Sequence, residues 1–372
     1  MNALERMNVG VVGVGRGMCL RQGLEHGGVL QVRAACDLRQ EQLDAVKEKY
    51  GVTALYTDYE AMLDKEDLDV VVVATPMPLH VPQSVAALDR DIHVISEVTA
   101  AISLEQCREL VDACKRSRAT YLFSENAHYV KENRLVTELV RHGLFGTPYY
   151  GEGEYLHALH DQAKRKEWRR KWTFGVRGVT YGTHELGPFL AWMQGERVTR
   201  VAYAGSGRWF RDAEGVLYEN DASNLMLCEM THGGLCKVRM DTQSPRPAST
   251  VNFALQGTEG CYESARWKGG THRVWLASRA QDAETWTNLA DLEDEFLPPI
   301  YHSDTAHELY RTNPHRGSDF FTGAALAEML VGKRPITLGV HEAMDMTLPG
   351  LMSQVSAAED GRWVEVPDSR AW

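Results

Sequence analysis

Along the first 125 residues, short apolar runs alternate with stretches of helical spacing. Asn8-Val9-Gly10-Val11-Val12 is a β-branched run that ends in Gly13-Val14-Gly15-Arg16-Gly17-Met18 and passes into a helical stretch through His26. Leu30 to Ala35 reads as a second strand ending at Cys36-Asp37. Val70-Val71-Val72-Val73-Ala74 is apolar at every position, as a parallel strand buried on both faces requires. A strand over His93 to Ser96, a helix over Leu104 to Ser117 and a strand over Thr120 to Ser124 continue the alternation. This pattern predicts an α/β unit with a doubly wound parallel sheet.

After residue 148 the period changes to two. Tyr149 to Tyr155, Val198 to Ala204, Ala222 to Met230, Gly234 to Asp241 and Thr250 to Gln256 read as strands, and Gly257-Thr258-Glu259-Gly260 as a hairpin turn. The expected second domain is α+β with an open, mostly antiparallel sheet. The boundaries expected are 1–125 and 126–372, with a helix from Ser318 to about Lys333 that returns toward the first domain.

Composition narrows the function classes. The formal charge of −11 argues against general affinity for nucleic acid or an anionic membrane. The chain shows neither an apolar signal segment at Met1 to Met7 nor a run long enough to span a bilayer, so a cytoplasmic protein is expected. The seven cysteines are scattered without a Cys-x-x-Cys pair, which reads as reduced thiols and neither a disulfide framework nor a metal site.

The strand, glycine turn and helix at residues 8–26 predict a dinucleotide site. Gly13 permits the turn, Gly15 lets backbone N–H groups approach a pyrophosphate, and Arg16, Gly17 and Met18 complete the loop. The third glycine of the fingerprint would fall at Met18, and Gly17 is displaced from it by one. Asp37, 24 residues after Gly13, can accept from a ribose 2′-hydroxyl and repel a 2′-phosphate, favouring NAD over NADP; Arg39 is the residue that could soften that preference. Thr75, Pro76 and His80 sit in the loop at the carboxyl end of the Val70 strand, where open α/β sheets bind ligands; His80 reads equally as a loop-packing residue.

The tracts Ala74-Thr75-Pro76-Met77-Pro78-Leu79-His80 and His93-Val94-Ile95-Ser96-Glu97-Val98-Thr99 together resemble the glucose-fructose oxidoreductase / inositol dehydrogenase / MocA (Gfo/Idh/MocA) family, which implies a Rossmann domain holding NAD. Most dehydrogenases of that family read Glu-Lys-Pro where this chain reads Glu97-Val98-Thr99, and their lysine helps move the hydroxyl proton. The resemblance places Glu97, Val98 and Asn126 at the cofactor. An isopropyl group cannot take a proton, so either the chain is catalytically silent or the acid/base work falls to other side chains.

Further tracts extend the resemblance: Glu152-Gly153-Glu154-Tyr155-Leu156-His157, Tyr181-Gly182-Thr183-His184-Glu185-Leu186-Gly187-Pro188, Asp241-Thr242-Gln243-Ser244-Pro245-Arg246-Pro247 and His315-Arg316-Gly317-Ser318-Asp319-Phe320. They look like glycoside hydrolase family 109, the NAD-dependent glycosidase branch of the same superfamily, with the related NAD-dependent sulfoquinovosidases an equally open home. Departures from that family at Ala158 and Glu185 bear on the sugar rather than on the chemistry. The implied reaction oxidises a sugar's C3 hydroxyl, removes the acidified C2 proton, eliminates the C1 substituent, adds water and reduces the ring again. Tyr155, Tyr181 and His184 are the titratable residues that the resemblance places for this work, each having a structural role as its alternative.

Six of the eight residues from Lys164 to Lys171 are cationic. A solvated helix face is one reading. The other has one or two of these cations, Lys166 and Arg169 among them, with Arg246 and Arg177, gripping an anionic substituent such as that of a sulfoquinovoside while Trp168 or Trp172 covers the ring; His157 is a further substrate-binding candidate, and an N-acetylgalactosaminide is the neutral alternative. His157, His160 and His184 invite a metal reading, but no carboxylates or thiols at ligand spacing accompany them. A homodimer or homotetramer acting on a small glycoside is implied by the resemblance. The competing functions are an NAD-dependent sugar or cyclitol dehydrogenase that releases NADH, and a non-catalytic sensor of dinucleotide and sugar.

Overall fold

The computed structural model describes residues 6–159, 167–247, 249–267, 269–313 and 315–372. The chain divides into two compact units, one of residues 1–126, 317–344 and 369–372 and the other of residues 127–316 and 345–368. The first unit thus draws on three stretches of the chain rather than on residues 1–125 alone.

In the first unit, β1 (Met7–Val12), β2 (Leu30–Cys36), β3 (Ala54–Tyr56), β4 (Val70–Val73), β5 (His93–Ser96) and β6 (Tyr121–Phe123) form one sheet in the order β3-β2-β1-β4-β5-β6. All its pairings are parallel. The four valines of β4 are fully buried, which is why that run carries no polar position. Strand order reverses between β1 and β4, so the loops after these two strands flank the switch point where such sheets bind ligands.

The helical stretch expected through His26 is two segments, Val14–Gly17 and Arg21–His26. Between them the backbone tightens into i→i−3 bonds, Cys19 N–H to Arg16 O at 3.0 Å and Leu20 N–H to Gly17 O at 3.3 Å, and one axis does not continue into the next. The second segment packs on the helix Ser318–Leu330. A Cβ on Gly23 would meet Phe320 O at 2.1 Å and one on Gly323 would meet Leu20 O at 2.6 Å, so paired glycines let the two backbones touch. Phe123 N–H also donates to Leu338 O at 2.8 Å, extending the edge of β6. These contacts bring the late stretch into the first unit.

The second unit holds a nine-stranded sheet in the order β14-β13-β12-β11-β7-β10-β9-β8-β15. Its strands are β7 (Pro148–Leu156), β8 (Val198–Gly205), β9 (Asn224–Met230), β10 (Leu235–Asp241), β11 (Ser249–Gly257), β12 (Gly260–Glu263), β13 (Arg273–Leu276), β14 (Thr287–Asn288) and β15 (Val364–Glu365). Only β7 and β10 pair in parallel; the other pairings are antiparallel.

One face of this sheet is covered by the helix Thr183–Trp192. Gly151 lies under Phe189, where a Cβ would fall 2.8 Å from the ring, and Gly153 lies under Glu185, again at 2.8 Å. Two residues of strand advance about 6.6 Å and four residues of helix about 6.0 Å, so the match repeats for several steps. Phe189, Trp192, Phe253 and Tyr262 close the core beyond it in edge-to-face contacts at 5.2 to 6.0 Å. Trp192 Nε1–H donates to Thr137 Oγ1 at 3.1 Å, satisfying its polar edge.

Candidate active site

The loop after β1 has the shape a diphosphate needs. Gly13 has φ +82°, and a Cβ there would meet Ala74 O at 2.5 Å. Over Gly15 the nearest heavy atom to a built Cβ is Gln42 Oε1 at 4.0 Å, so the backbone lies open to an approaching group. The close helix-on-strand contact expected from a glycine at position 18 is made by Gly17, whose Cβ would meet Val11 Cγ1 at 2.5 Å; Met18 is instead buried. Helix geometry puts residue 17, not 18, against the sheet, because the first helical segment begins at once after Gly13.

Asp37 follows the end of β2. Its Oδ1 accepts from Arg39 N–H at 3.1 Å and Arg39 Nε–H at 3.3 Å, so both contacts fall on one oxygen and the cation is tied to the acid it was expected to offset. Pro76 precedes the 3-10 turn Met77–Leu79, and Thr75 Oγ1 donates to Gln83 Oε1 at 2.6 Å. His80 is buried with Nδ1 2.7 Å from Thr99 O and Nε2 2.8 Å from Thr75 O. It clasps the loops after β4 and β5 to each other, which corrects its expected place among ligand contacts.

Arg16, Glu97 and Asn126 prove to be linked by a residue the sequence reading did not single out, Asp319. Arg16 Nη1 and Nη2 donate to the two oxygens of Asp319 at 2.9 and 2.8 Å, and Nη2 also lies 2.9 Å from Glu97 Oε1. Asn126 Nδ2–H donates to Asp319 Oδ1 at 3.0 Å. Burial works against the Arg16 charge, but Glu97 and Asp319 outweigh it and hold the guanidinium above its ordinary value. These side chains therefore hold one another and frame the loop rather than extend toward solvent. Val98 is buried beside them, and its peptide bond to Thr99 is cis. Asp319 lies in a tract that carried the family resemblance, the one signal that could have found it.

The open backbone over Gly15 and the acid at the end of β2 fit a dinucleotide, with Gly13, Gly15, Asp37 and the Thr75 loop as the residues that would hold NAD.

In the second unit the three expected catalytic residues come together. Tyr155 follows Gly151 and Gly153 on the same face of β7; the four-residue step from Phe189 to Glu185 leads to Tyr181, just before the helix, and His184 stands in the helix's first turn. Their rings stack with centroids 5.7 Å apart at 25°, and Tyr181 meets Tyr155 at 5.6 Å and His184 at 5.0 Å, both edge-on. His157 lies 6.0 Å from Tyr155. The segment leading to Tyr181 is pinned by Val179 N–H donating to Ser353 Oγ at 2.9 Å and by Asn220 Nδ2–H donating to Gly178 O at 3.1 Å. Two phenols and an imidazole in mutual contact can take, hold and return protons at one small ring.

The basic run divides. Lys166 and His160 lie outside the described residues. Arg169 lies over Trp168 at 4.6 Å and Tyr181 at 5.8 Å, while Lys171 lies over Trp172 at 5.2 Å. Arg170 pairs with Asp212. Arg177 is engaged with Asp221 at 2.9 Å and Ala357 O at 3.3 Å, so its expected grip on a substrate is replaced by a structural pairing. Arg246 is exposed on the loop after β10. Burial, reinforced by Arg169 and His315, pushes His157 below the usual histidine range. Among the described residues, no group of three His, Cys, Asp or Glu side chains is placed to hold a metal ion.

Comparison with known proteins bears on both units. Residues 7–124 match a family model described as "Oxidoreductase family, NAD-binding Rossmann fold", of the Gfo/Idh/MocA type, and residues 211–371 match "Glycosyl hydrolase 109, C-terminal domain". The chain is 30% identical over 403 residues to "Glycosyl hydrolase family 109 protein 1" of Shewanella sp. (strain ANA-3), covering 98% of this chain and 85% of that one. It is 27% identical over 398 residues, with the same coverages of 98% and 85%, to a protein of Shewanella oneidensis named "Alpha-N-acetylgalactosaminidase". In fold it is similar to a solved levoglucosan dehydrogenase in complex with NADH and L-sorbose, with a TM-score of 0.82, 17% identity and coverage of 98% of this chain and 100% of the other. The chain belongs to glycosyl hydrolase family 109, and its amino-terminal part is an NAD-binding Rossmann domain.

Proposed function

We propose that the chain is an NAD-dependent glycoside hydrolase that cleaves its substrate through transient oxidation of the sugar ring. The observation that carries this reading is the cluster of Tyr155, Tyr181 and His184 within the second unit, in a chain whose residue 98 is a buried, aliphatic valine. NAD, when bound, supplies a reversible hydride acceptor. The chain's residues then have three duties: to accept the proton of the C3 hydroxyl, to remove the proton at C2, and to donate hydrogen bonds to the oxygen that becomes negative. A neutral imidazole can do the second at nitrogen, and a phenol O–H can do the third. The Val98 side chain can do none of them. Membership of family 109 supports glycoside cleavage, and the name of the Shewanella oneidensis relative makes an N-acetylgalactosaminide one substrate to include.

The test is turnover of a panel of 4-nitrophenyl glycosides in deuterium oxide with added NAD. The expected result is release of nitrophenol without net growth of absorbance at 340 nm, with deuterium at C2 of the freed sugar. Steady accumulation of NADH without aglycone release makes the protein a sugar dehydrogenase instead. Cleavage without label at C2 points to hydrolysis by two carboxylates.

A further inference from the structure

Arg169 stands apart from the cations beside it. Arg170 has its carboxylate in Asp212, whereas no carboxylate pairs with Arg169 among the described residues. Its guanidinium lies 4.6 Å from the Trp168 ring centroid and 5.8 Å from that of Tyr181, and its Nε and Nη1 are shut off from solvent with no hydrogen-bond partner among the described residues. A guanidinium keeps its charge at any accessible pH, and buried donors are almost always paired, so these N–H groups are arranged for an acceptor that arrives from outside.

One neighbour says what that acceptor is attached to. Tyr181 belongs both to the stack on Arg169 and to the trio with Tyr155 and His184, so the acceptor is carried by the ring on which that trio acts. A single hydroxyl oxygen answers one of the Arg169 Nε and Nη1 donors, whereas a flat or tetrahedral oxyanion answers both and neutralises the charge as well.

We propose that the substrate is a glycoside bearing an oxyanion, a carboxylate or a sulfonate, which Arg169 grips. This rests on the glycosidase reading and names the substrate class for it. The discriminating group is on the sugar, and the guanidinium stays over the Trp168 and Tyr181 rings in the absence of sugar.

The experiment compares kcat/KM of the full-length, NAD-loaded protein on 4-nitrophenyl hexopyranosides, hexuronides and 6-deoxy-6-sulfo-hexopyranosides, in both anomers. At least a tenfold preference for one of the anionic sets over the hydroxymethyl set is expected, and the carboxylate and sulfonate arms separate the two anions. Arg169→Gln is expected to reduce that preference tenfold or more, and Arg169→Lys to restore only part of it, because an ammonium lacks the fork. Arg170→Gln, whose parent is already paired with Asp212, is expected to keep the wild-type ratio. A ratio near one in the wild type, or an equal loss in the Arg169 and Arg170 variants, overturns the proposal while leaving the reaction intact. If no glycoside is cleaved, calorimetry with free glucuronate and free glucose decides: tighter binding of the anion that Arg169→Gln abolishes supports the proposal, and equal binding overturns it.

Discussion

Val98 and the trio of Tyr155, Tyr181 and His184 carry opposite expectations. If the proton work belongs to the trio, Tyr155→Phe and His184→Ala should each lower kcat by about 10²- to 10⁴-fold, the usual worth of a positioned acid or base. Val98→Ala, which trims a buried methyl pair and no proton carrier, should lower it far less; steady-state kinetics on the best nitrophenyl glycoside measures all three. His157 supplies a pH prediction. Its folded-state value is depressed by burial and by Arg169, so between that value and the unfolded histidine value of about 6.5 the unfolded chain binds more protons than the folded one. Stability from this group is therefore complete above about pH 6.5 and declines as the pH falls below it. His157→Gln should flatten the fall of the melting temperature between pH 6.5 and 5, and an unchanged slope would count against the assignment. At this scale Gly13, Gly15 and Asp37 were legible because their roles are local and close to one strand end. The partner of Arg16 was not, since Asp319 lies 303 residues away.

The element that decides the site is the pairing of β7 with the helix Thr183–Trp192. Its alternation was legible: Gly151, Gly153 and Tyr155 share one face of a period-two strand. What they face was not, because which helix lies over a strand is set by packing. Gly153→Ala tests the match. The added Cβ would sit 2.8 Å from Glu185 Cβ, on the stem of a buried side chain that has no room to swing, so the helix must lift. A loss of about 1–3 kcal/mol in urea unfolding is expected, with a fall in kcat because His184 rides on the displaced turn. A fully active, equally stable variant would show that the register described above is not what positions His184. The glycine-loop helix taught the complementary lesson. Its continuous apolar pattern through His26 reads as one helix, yet i→i−3 bonds after Arg16 split it, a choice made by local turn geometry that the pattern does not record.

For the whole molecule, the late stretch 317–344 belongs to the dinucleotide-binding unit, through contacts of Gly23 with Phe320 and of Gly323 with Leu20. No described helix is long and apolar enough to cross a membrane. NAD should raise the melting temperature of the full chain more than NADP does, since ligand at a hundred times its Kd contributes about 2.7 kcal/mol and the carboxylate of Asp37 repels a 2′-phosphate. Equal shifts with the two dinucleotides would remove Asp37 from that role. A homodimer or homotetramer is also expected. The face of the second sheet turned from the helix Thr183–Trp192 presents half-buried Leu225, Leu227 and Leu235 between the Glu152–Lys237 and Arg200–Glu229 pairs, a mixture suited to a second copy. Light scattering that returns the mass of a single chain at micromolar concentration would exclude it.

The amino-acid order alone determined the parallel sheet, the glycine turn, the acid at the end of β2 and the period-two strands of the second half, because each depends on side chains within a few residues of one another along one element. Tertiary structure decided which charged groups are already taken. Arg16 by Asp319 and Glu97, Arg177 by Asp221 and Arg170 by Asp212 are pairings across long loops, and Arg169 is distinguished from them only by what it lacks. A cation's role depends on whether an acceptor reaches it in space, and spacing along the chain does not encode that distance.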